Sequence, residues 1–431
     1  MTLSQRIRGR SARIGVLGLG YVGLPLAMEF CRKGFRVTGF EVDRHRLDAL
    51  ARGRSYIGDV SAAELRRWRT AGRFSSTDRL ALLPDQDAVL VCVQTPLRKT
   101  KKPDLSRILA ALKEVSRRLR PGQLIVIEST TYPGATEEVI LPVLRRSGLR
   151  LGKDFFLAFS PERVDPGNPV WSIANTPKVV GGADPASTRL AARLYARVVD
   201  RVVPVSSTRA AETVKLLENT FRAVNIALVN EMAQVCRHLG LDVWEVIEAA
   251  ASKPFGFMPF YPGPGIGGHC IPKDPRLLSW KVRTLHFDPR FIRLASTINE
   301  GMPGYAVKRI AQALGRTTRT LRGRRILVLG AAYKPGLGDY RESPALDVMD
   351  LLLRAGARVR YHDPFVPSLE VRGRRLSSVP LSEACLKSAH CAAILTAHPG
   401  VDYERVARLA PLVFDARNAA KGLRSPKVVR L

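Results

Sequence analysis

Acidic residues and cysteines are both scarce in this sequence, and long apolar runs are absent. Aspartate and glutamate number 38 against 69 lysines and arginines, which gives the 431 residues a formal net charge of +31. The six cysteines are scattered and form no CxxC pair, so the sequence predicts neither a metal site nor a disulfide scaffold. No apolar run is long enough to cross a bilayer, and residues 1–12 are basic and polar, unlike a signal peptide. We therefore expect a cytoplasmic protein with no membrane partner.

The excess of positive charge raises the question of a nucleic-acid partner. Short basic clusters occur at residues 98–102 and 322–325, but the other arginines are spread through every segment. No helix-turn-helix, zinc-finger or RNA-recognition signature accompanies them. We therefore expect no specific nucleic-acid partner, and we interpret the charge as an arginine-rich composition that helps to attract anionic ligands.

A dinucleotide-binding fingerprint stands near the start of the chain, in the context that it requires. An apolar run at 13–18 predicts a buried strand, residues 24–31 have helical spacing, and a second strand at 36–40 follows. Between the first strand and the helix lies Gly-x-Gly-x-x-Gly, whose glycines allow a tight turn, close approach of a pyrophosphate and close helix packing. The predicted cofactor-binding residues of this turn are Gly18, Gly20, Tyr21, Val22 and Gly23.

The residue after the second strand, Glu41, indicates which dinucleotide binds. A carboxylate at this position accepts hydrogen bonds from the ribose 2′-hydroxyl, which predicts NAD rather than NADP. Arg44 and Arg46 follow closely and could instead receive a 2′-phosphate. Arg46 is therefore a further cofactor-binding candidate.

Polar residues follow each of the next three predicted strands. These strands lie at 88–93, 124–128 and 155–159. Ligand contacts in an open α/β sheet gather at the carboxyl ends of strands, where Thr95, Ser129 and Thr130 stand. These three residues could equally be helix caps or turn residues. Glu162 and Asp165 follow the last strand and are candidate acid/base groups, although surface carboxylates would show the same pattern.

Residues 209–239 contain no proline or glycine, which predicts one long helix that ends at Gly240 as its C-cap. Apolar residues recur along it at helical spacing: Val214, Leu217, Phe221, Val224, Leu228, Met232 and Val235. Such a length exceeds that of an ordinary globular helix and is explained by a connector between domains or by a subunit interface. Lys215 and Asn219 are four apart and share a face, although a lysine there is usually a solvated charge.

The α/β pattern then starts again, without a second glycine fingerprint. A strand at 325–330 leads through a loop at 333–344 into a helix at 345–355. Further strands are predicted at 357–361, 392–395 and 412–414. Lys334 and Arg341 in the loop are suited to bind phosphates.

A glycine-rich stretch at 263–275 contains a single cysteine, Cys270. Four glycines within six residues remove side chains and allow the backbone to close tightly around a ligand. Cationic neighbours make a thiol a stronger nucleophile, and His269 and Lys273 are possible neighbours of this kind. The alternative is a loop with a buried, inert cysteine.

These motifs, in this order, resemble the nucleotide-sugar 6-dehydrogenase family of UDP-glucose and UDP-N-acetylhexosamine dehydrogenases. The resemblance covers nearly the whole chain. It implies an α/β fold with two doubly wound Rossmann-like domains joined by a long central helix and a helical middle domain. Residues 1–205 would bind NAD, residues 206–318 would form the dimerisation domain with the cysteine loop, and residues 319–431 would bind the UDP-sugar. The expected assembly is a homodimer.

The resemblance also implies a four-electron oxidation of a hydroxymethyl group to a carboxylate with two NAD in succession. Cys270 would form a thiohemiacetal and then a thioester, while Lys215 and Asn219 stabilise the oxyanion. Asp274 and Thr130 would hold the water, and Glu162 would assist proton transfer. Further implied cofactor-binding residues are Thr95, Thr130 and Arg341. Implied substrate-binding residues are Glu162, Arg163, Lys215, Asn219, Gly265, Gly267, Gly268 and Lys334.

Three positions depart from the family pattern. Pro166 stands where the glucose branch has a second glutamate, Gln94 replaces a proline, and Gly338 replaces an aspartate. Residues 160–168 and 218–225, together with His269, resemble the N-acetyl branch, whereas Lys273 is more like the glucose branch.

The expected substrate is therefore UDP-N-acetylglucosamine, oxidised to the uronate for surface polysaccharide. The alternatives are UDP-glucose, UDP-N-acetylmannosamine, a two-electron 3-hydroxyacid-type or 6-phosphogluconate dehydrogenase, and a non-catalytic binding relative.

Overall fold

The computed structural model describes residues 1–96, 103–165, 168, 170–268, 270–315, 321–423 and 425–431. The basic cluster at 98–102, Pro166, His269 and the predicted domain boundary at 318/319 lie outside the described residues. The chain divides into two compact units. The first unit is Met1–Glu218 with Trp280–His286, and the second is Asn219–Ser279 with Phe287–Leu431.

The first unit is built around an eight-stranded sheet. Its strands are β1 (Arg13–Leu17), β2 (Arg36–Phe40), β3 (Phe74–Thr77), β4 (Ala88–Val91), β5 (Gln123–Ile127), β6 (Phe155–Phe159), β7 (Lys178–Gly182) and β8 (Val202–Val205). Their order across the sheet is β3-β2-β1-β4-β5-β6-β7-β8. The first six are mutually parallel in the Rossmann order, whereas β7 runs antiparallel to β6 and parallel to β8.

Alternating side chains of the central strands fill two apolar cores, one on each face of this sheet. In β4 and β5, Leu90 and Val126 belong to one core, and Val89 and Ile125 belong to the other. Helices cover both faces, as expected for a parallel sheet with apolar side chains on both sides. The helices of this unit are α1 (Leu3–Arg8), α2 (Gly23–Arg32), α3 (Arg44–Ala51), α4 (Ala62–Thr70), α5 (Ser106–Arg118), α6 (Leu141–Arg145) and α7 (Pro185–Tyr195). A π-helical turn, Thr136–Ile140, precedes α6.

The predicted long helix is confirmed as α8 (Thr208–His238), with 31 residues. Gly240 follows it with a φ of +73°, a backbone conformation that favours glycine. The face that α8 buries is lined largely by alanines, such as Ala211, Ala223 and Ala227. Four members of the apolar pattern seen in the sequence are instead exposed: Leu217, Phe221, Leu228 and Val235.

The second unit contains a five-stranded parallel sheet and a separate hairpin. Its helices are α9 (Val243–Ala251), α10 (Asp274–Arg283, whose last residues lie in the first unit), α11 (Arg290–Ala313), α12 (Pro344–Arg354), α13 (Glu383–Ser388) and α14 (Tyr403–Leu409). Its strands are β9 (Arg325–Leu329), β10 (Arg358–His362), β11 (Ser368–Val371), β12 (Arg374–Ser377), β13 (Cys391–Ile394), β14 (Val413–Asp415) and β15 (Val428–Arg430). The sheet order, β10-β9-β13-β14-β15, is the second common doubly wound order.

The predicted fold class, α/β with two doubly wound sheets and a long helix between them in the sequence, is confirmed. The division into three functional domains stays a prediction. Across the described ranges, no helix is both long and apolar enough to cross a membrane. The same ranges contain no group of three or more acidic, histidine or cysteine side chains arranged to hold a metal ion.

Candidate active site

The glycine turn after β1 has the geometry that a dinucleotide requires. A Cβ on Gly23 would lie 1.9 Å from the carbonyl oxygen of Gly18, so only glycine lets α2 pack this close to the turn. Gly18 itself has a φ of +89°. A Cβ on Gly20 would meet no atom within 4 Å, which leaves open space where a pyrophosphate can approach the backbone. Val22 caps α2, and Tyr21 is exposed beside it. The residues present therefore fit NAD.

The Glu41 carboxylate is buried and aimed at the glycine turn. Its Oε2 accepts from the backbone N–H of Leu19 at 3.1 Å and from Arg46 Nη1 at 3.2 Å. Oε1 accepts from the backbone N–H of Val42 at 2.9 Å. Arg44, in contrast, pairs with Asp78 at 2.6 Å. Arg46 is already paired with Glu41, so it is not an unpaired cation that could bind a 2′-phosphate. The Glu41 carboxylate remains the group suited to accept from a ribose hydroxyl.

The threonines at the ends of β4 and β5 lie together. Thr95 Oγ1 donates to the backbone carbonyl of Thr130 at 2.6 Å. Ser129 Oγ donates to the carbonyl of Val93 at 2.7 Å, so this hydroxyl closes the end of β4 rather than facing a ligand. The structure thus brings Thr95 and Thr130 together at the carboxyl ends of two neighbouring parallel strands, the edge of the sheet where open α/β folds bind ligands.

Glu162 and Lys215 form an ion pair, with Lys215 Nζ 3.4 Å from Glu162 Oε2. Both side chains are largely buried, at 17% and 8% exposure, so Lys215 is not the solvated surface charge that its helix position suggests. The backbone N–H of Val164 also donates to Glu162. Arg163, the neighbouring residue, donates to the carbonyl of Pro177 at 2.6 Å and pairs with Glu218 at 2.7 Å.

A second ion pair, between Lys178 and Glu128, is buried in the same unit and was not predicted from the sequence. Lys178 Nζ is 2.6 Å from Glu128 Oε2 and donates to the Pro161 carbonyl at 3.2 Å. Tyr195 donates its hydroxyl to the other oxygen of Glu128. Burial and the charge of Glu128 together raise the pKa of Tyr195 well above its ordinary value. Glu128 and Lys178 line a cavity of about 260 Å³ together with Tyr21, Val22, Glu162 and Arg163.

In the second unit, Cys270 lies in the turn before α10, four residues before its first residue, Asp274. Its carbonyl accepts from the backbone N–H groups of Lys273 at 3.1 Å and Asp274 at 2.8 Å, which begins the helix. Asp274 is fully buried and accepts from Asn219 Nδ2 at 2.6 Å. The structure therefore brings Asn219 and Asp274 together and places Cys270 at the positive end of the α10 dipole, which favours negative charge.

Cys270 differs from the other cysteines in being exposed. Cys31, Cys92, Cys236, Cys385 and Cys391 are all buried. Burial raises the pKa of the Cys31 and Cys391 thiols to about 12. Only Cys270 therefore combines exposure with a position at a loop.

The glycines before Cys270 are explained by contacts within the second unit. A Cβ on Gly267 would lie 2.7 Å from both Tyr333 and Pro344, and one on Gly268 would lie 2.9 Å from the Tyr333 ring. Gly265 has a φ of +135° and also packs near Pro344. Close packing against the loop at 333–344 is thus a structural reason for these glycines, besides the predicted contact with a ligand.

The loop at 333–344 carries Lys334 and Arg341. Lys334 is partly buried. Arg341 forms a bidentate pair with Asp339, at 2.9 and 2.7 Å. A Cβ on Gly338 would lie 2.7 Å from the Phe365 carbonyl oxygen, so an aspartate at this position could not be accommodated without a shift.

A buried Asp363–His398 pair supports this loop and was not predicted from the sequence. Asp363 accepts from the backbone N–H groups of Ala331 and Ala332 at 2.7 and 3.0 Å and lies 2.9 Å from His398 Nε2. His398 Nδ1 accepts from the N–H of Gly336 at 3.2 Å. Although burial opposes it, the bonds from His398 and the backbone lower the pKa of Asp363 to about 2.

Three family models match the chain in the same order as these sites. They describe the UDP-glucose/GDP-mannose dehydrogenase family: its NAD binding domain matches residues 12–199, its central domain 209–301 and its UDP binding domain 327–422. The chain belongs to the UDP-glucose/GDP-mannose dehydrogenase family. Its NAD binding domain contains the glycine turn and Glu41, and the cofactor is NAD.

Relatives with named activities cover most of the chain. A UDP-N-acetyl-D-glucosamine 6-dehydrogenase of Pseudomonas aeruginosa is 37% identical over 83% of this chain and 84% of its own. A UDP-N-acetyl-D-mannosamine dehydrogenase of Pyrococcus horikoshii is 36% identical over 95% and 96%. Among solved structures, that of a Pyrococcus horikoshii UDP-D-ManNAc dehydrogenase is 35% identical, covers 97% of this chain and 98% of its own, and has a TM-score of 0.88.

Proposed function

We propose that this protein is an NAD-dependent 6-dehydrogenase that oxidises UDP-N-acetylglucosamine to UDP-N-acetylglucosaminuronate. The observation that carries the proposal is the exposure of Cys270 in the turn before α10, whereas the five other cysteines are buried. A two-electron dehydrogenase needs no such nucleophile. A four-electron dehydrogenase needs one, because an aldehyde must be converted to an acyl group before hydrolysis.

The reaction balances with two NAD and one water. Loss of a hydride and a proton from the C6 hydroxymethyl group gives an aldehyde. The Cys270 thiolate adds to the aldehyde carbon, and loss of a second hydride converts the thiohemiacetal to a thioester. Water then displaces the thiolate, giving the carboxylate and restoring Cys270. NAD, when bound, accepts the two hydrides, so two NADH and three protons leave per uronate formed.

The remaining roles are assigned to polar residues of the first and of the second unit. Lys215 and Asn219 stabilise the oxyanion, and Glu162, paired with Lys215, assists proton transfer. Asp274 and Thr130 hold the hydrolytic water. Substrate contacts are assigned to Arg163, Gly265, Gly267, Gly268 and Lys334, and cofactor contacts to Tyr21, Val22, Thr95 and Arg341.

The choice of sugar rests on the relatives and on branch-like segments of the chain. The Pseudomonas aeruginosa relative supports UDP-N-acetylglucosamine. UDP-N-acetylmannosamine is the second candidate, supported by the Pyrococcus horikoshii relative and solved structure at nearly the same identity.

A panel of UDP-sugars tests this proposal. Purified protein with NAD should turn over UDP-N-acetylglucosamine with the highest kcat/KM, measured against UDP-N-acetylmannosamine, UDP-N-acetylgalactosamine and UDP-glucose. NADP in the same assay should be used far less well, because its 2′-phosphate would face the Glu41 carboxylate. Exclusive turnover of UDP-glucose would overturn the choice of an N-acetyl sugar. A preference for NADP would overturn the role of Glu41.

We also propose that the protein is a homodimer through α8. The support is the apolar side chains that this helix leaves exposed: Leu217, Phe221, Leu228 and Val235. Exposed apolar side chains along one helix are typical of subunit interfaces. Sedimentation equilibrium at micromolar protein should give twice the mass of the 47.5 kDa chain. A Phe221→Glu variant should shift the equilibrium from dimer toward monomer and so lower the measured mass. A monomeric wild type would contradict the proposal.

A further inference from the structure

A carboxylate that no proposed chemical step uses, Glu212, is wholly buried in the first unit. It lies on α8, three residues before Lys215. Its Oε1 accepts from Thr131 Oγ1 at 3.0 Å and from Thr136 Oγ1 at 2.6 Å and N at 2.9 Å. Its Oε2 accepts from the backbone N–H of Gly134 at 2.6 Å. One side chain on the helix thus binds Thr131 and Gly134 in the loop after β5, and Thr136 at its end.

This loop is the one that carries Thr130. Thr95 holds the Thr130 carbonyl from one side, and Glu212 holds the adjacent Thr131 from the other. Residues three apart on a helix are neighbours, so the position of Glu212 also fixes that of Lys215. Lys215 in turn contacts Glu162 at 3.4 Å.

We propose that Glu212 is a positioning residue for the dehydrogenation: as a carboxylate, it fastens α8 to the loop after β5 and so sets Lys215 and Thr130 in register. The inference rests on the proposed function, because Lys215 and Thr130 take their roles from it. Glu212 itself touches neither substrate nor cofactor.

The geometry distinguishes the carboxylate from its neutral forms. Each oxygen of Glu212 faces one backbone N–H, that of Thr136 on Oε1 and that of Gly134 on Oε2. A hydroxyl can turn to accept a bond, but a backbone N–H cannot. The NH2 of a glutamine therefore faces a backbone donor on either side and breaks one of the two bonds. A proton on either oxygen removes the negative charge and so weakens the bonds from both backbone N–H groups.

The Glu212 side chain changes between its protonated and ionised forms near neutral pH. Burial raises the pKa of Glu212 to about 7, and the bonds from Thr136, Gly134 and Thr131 oppose the rise. The charged and titratable groups on the surrounding elements are Tyr132, Glu137, Glu138, Arg209, Lys215 and Lys281. Glu138 pairs with Lys281 at 2.7 Å, and Glu137 lies 3.7 Å from Arg209. We expect activity to fall as pH drops through the pKa of Glu212, because the carboxylate is the positioning form.

Thr136→Val gives the sharpest test because it removes one hydroxyl donor and leaves the ion pairs in place. Loss of a bond to the carboxylate raises the pKa of Glu212, so the acid limb of kcat should move up by roughly one pH unit. Glu212→Gln should lower kcat about 10- to 100-fold, with KM for the UDP-sugar little changed and the limb absent. Glu212→Asp should retain a limb at reduced kcat. Glu114→Gln, a surface carboxylate paired with Arg117 and Arg118, is the matched control and should change nothing.

The outcomes separate this inference from the function on which it rests. If the wild type oxidises no UDP-sugar, the proposed function fails and this inference fails with it. If the wild type is active but Thr136→Val leaves the acid limb in place, only the role of Glu212 is overturned. If Glu212 has a purely structural role, Glu212→Gln will lower the melting temperature but leave kcat per folded molecule and the pH profile as in the wild type. That result would also overturn the positioning role. If Glu212→Gln does not fold, the limb shift in Thr136→Val still decides the matter.

Discussion

Cys270→Ala is expected to abolish uronate formation while leaving both ligands able to bind. Without the thiolate, the aldehyde cannot become an acyl group, and loss of a catalytic nucleophile costs roughly a thousandfold to a millionfold in kcat. The exposed Cys270 side chain packs little, so its truncation should leave the fold and the Kd of the UDP-sugar unchanged. Uronate release is measured by chromatography, and binding by titration calorimetry.

Cys391→Ala is the matched control in the same unit. Cys391 is fully buried in β13, and burial raises the pKa of its thiol to about 12, so it is neither accessible nor ionised. Its truncation should cost about 1 kcal/mol of stability and leave kcat unchanged.

Cys270→Ser adds a direct view of the covalent step. A serine hydroxyl can form an acyl-enzyme but is a weaker nucleophile and a worse leaving group, so the cycle should stall. Intact-mass measurement with substrate and NAD should then show a substrate adduct. Full turnover by Cys270→Ala would exclude covalent catalysis at this residue.

Lys178→Met is expected to have the largest effect on stability. The change leaves the Glu128 carboxylate buried, with the Tyr195 hydroxyl as its remaining partner among the bonds described above. Breaking a buried ion pair by removal of one partner costs about 3–5 kcal/mol, because an uncompensated charge is left in the core. Urea denaturation, followed through the transition of the first unit, measures the loss in free energy of unfolding.

A surface pair provides the comparison. Lys387 and Glu383 lie 2.5 Å apart, but their side chains are 60% and 56% exposed, so Lys387→Met should leave the stability almost unchanged. The double variant Lys178→Met/Glu128→Gln should recover part of the loss, since it removes the buried charge. Equal effects of Lys178→Met and Lys387→Met would show that the buried pair contributes nothing.

Strong apolar runs bounded by glycine made much of the fold predictable. The bounds of β2 and β6 match the sequence prediction. Those of α8 differ by one residue, because a stretch without proline or glycine and then Gly240 mark its extent. Strands β7 and β8 were not predicted. β8 has only four residues and contains Pro204, which is unfavourable within a strand. A strand this short is too brief to show a periodic pattern in the sequence.

The site was predictable in its motifs but not in its supporting contacts. The glycine turn, Glu41 and Cys270 stand in patterns that local chemistry explains. Lys215 pairs with Glu162, 53 residues away, and such a pairing exists only after folding. The Glu212 bonds to the loop after β5 are of the same kind, joining residues that sequence spacing cannot relate. The buried face of α8 was also hidden, because alanines that pack closely are less conspicuous than the exposed Leu217 and Phe221.

The ratio of NADH to uronate in one reaction tests the central claim most directly. With UDP-N-acetylglucosamine limiting and NAD in excess, absorbance gives the NADH formed, and mass spectrometry of the quenched mixture gives the uronate and any free aldehyde. Four-electron oxidation through Cys270 predicts two NADH for each uronate and no accumulated aldehyde. One NADH per substrate consumed, with the aldehyde as the released product, would contradict it.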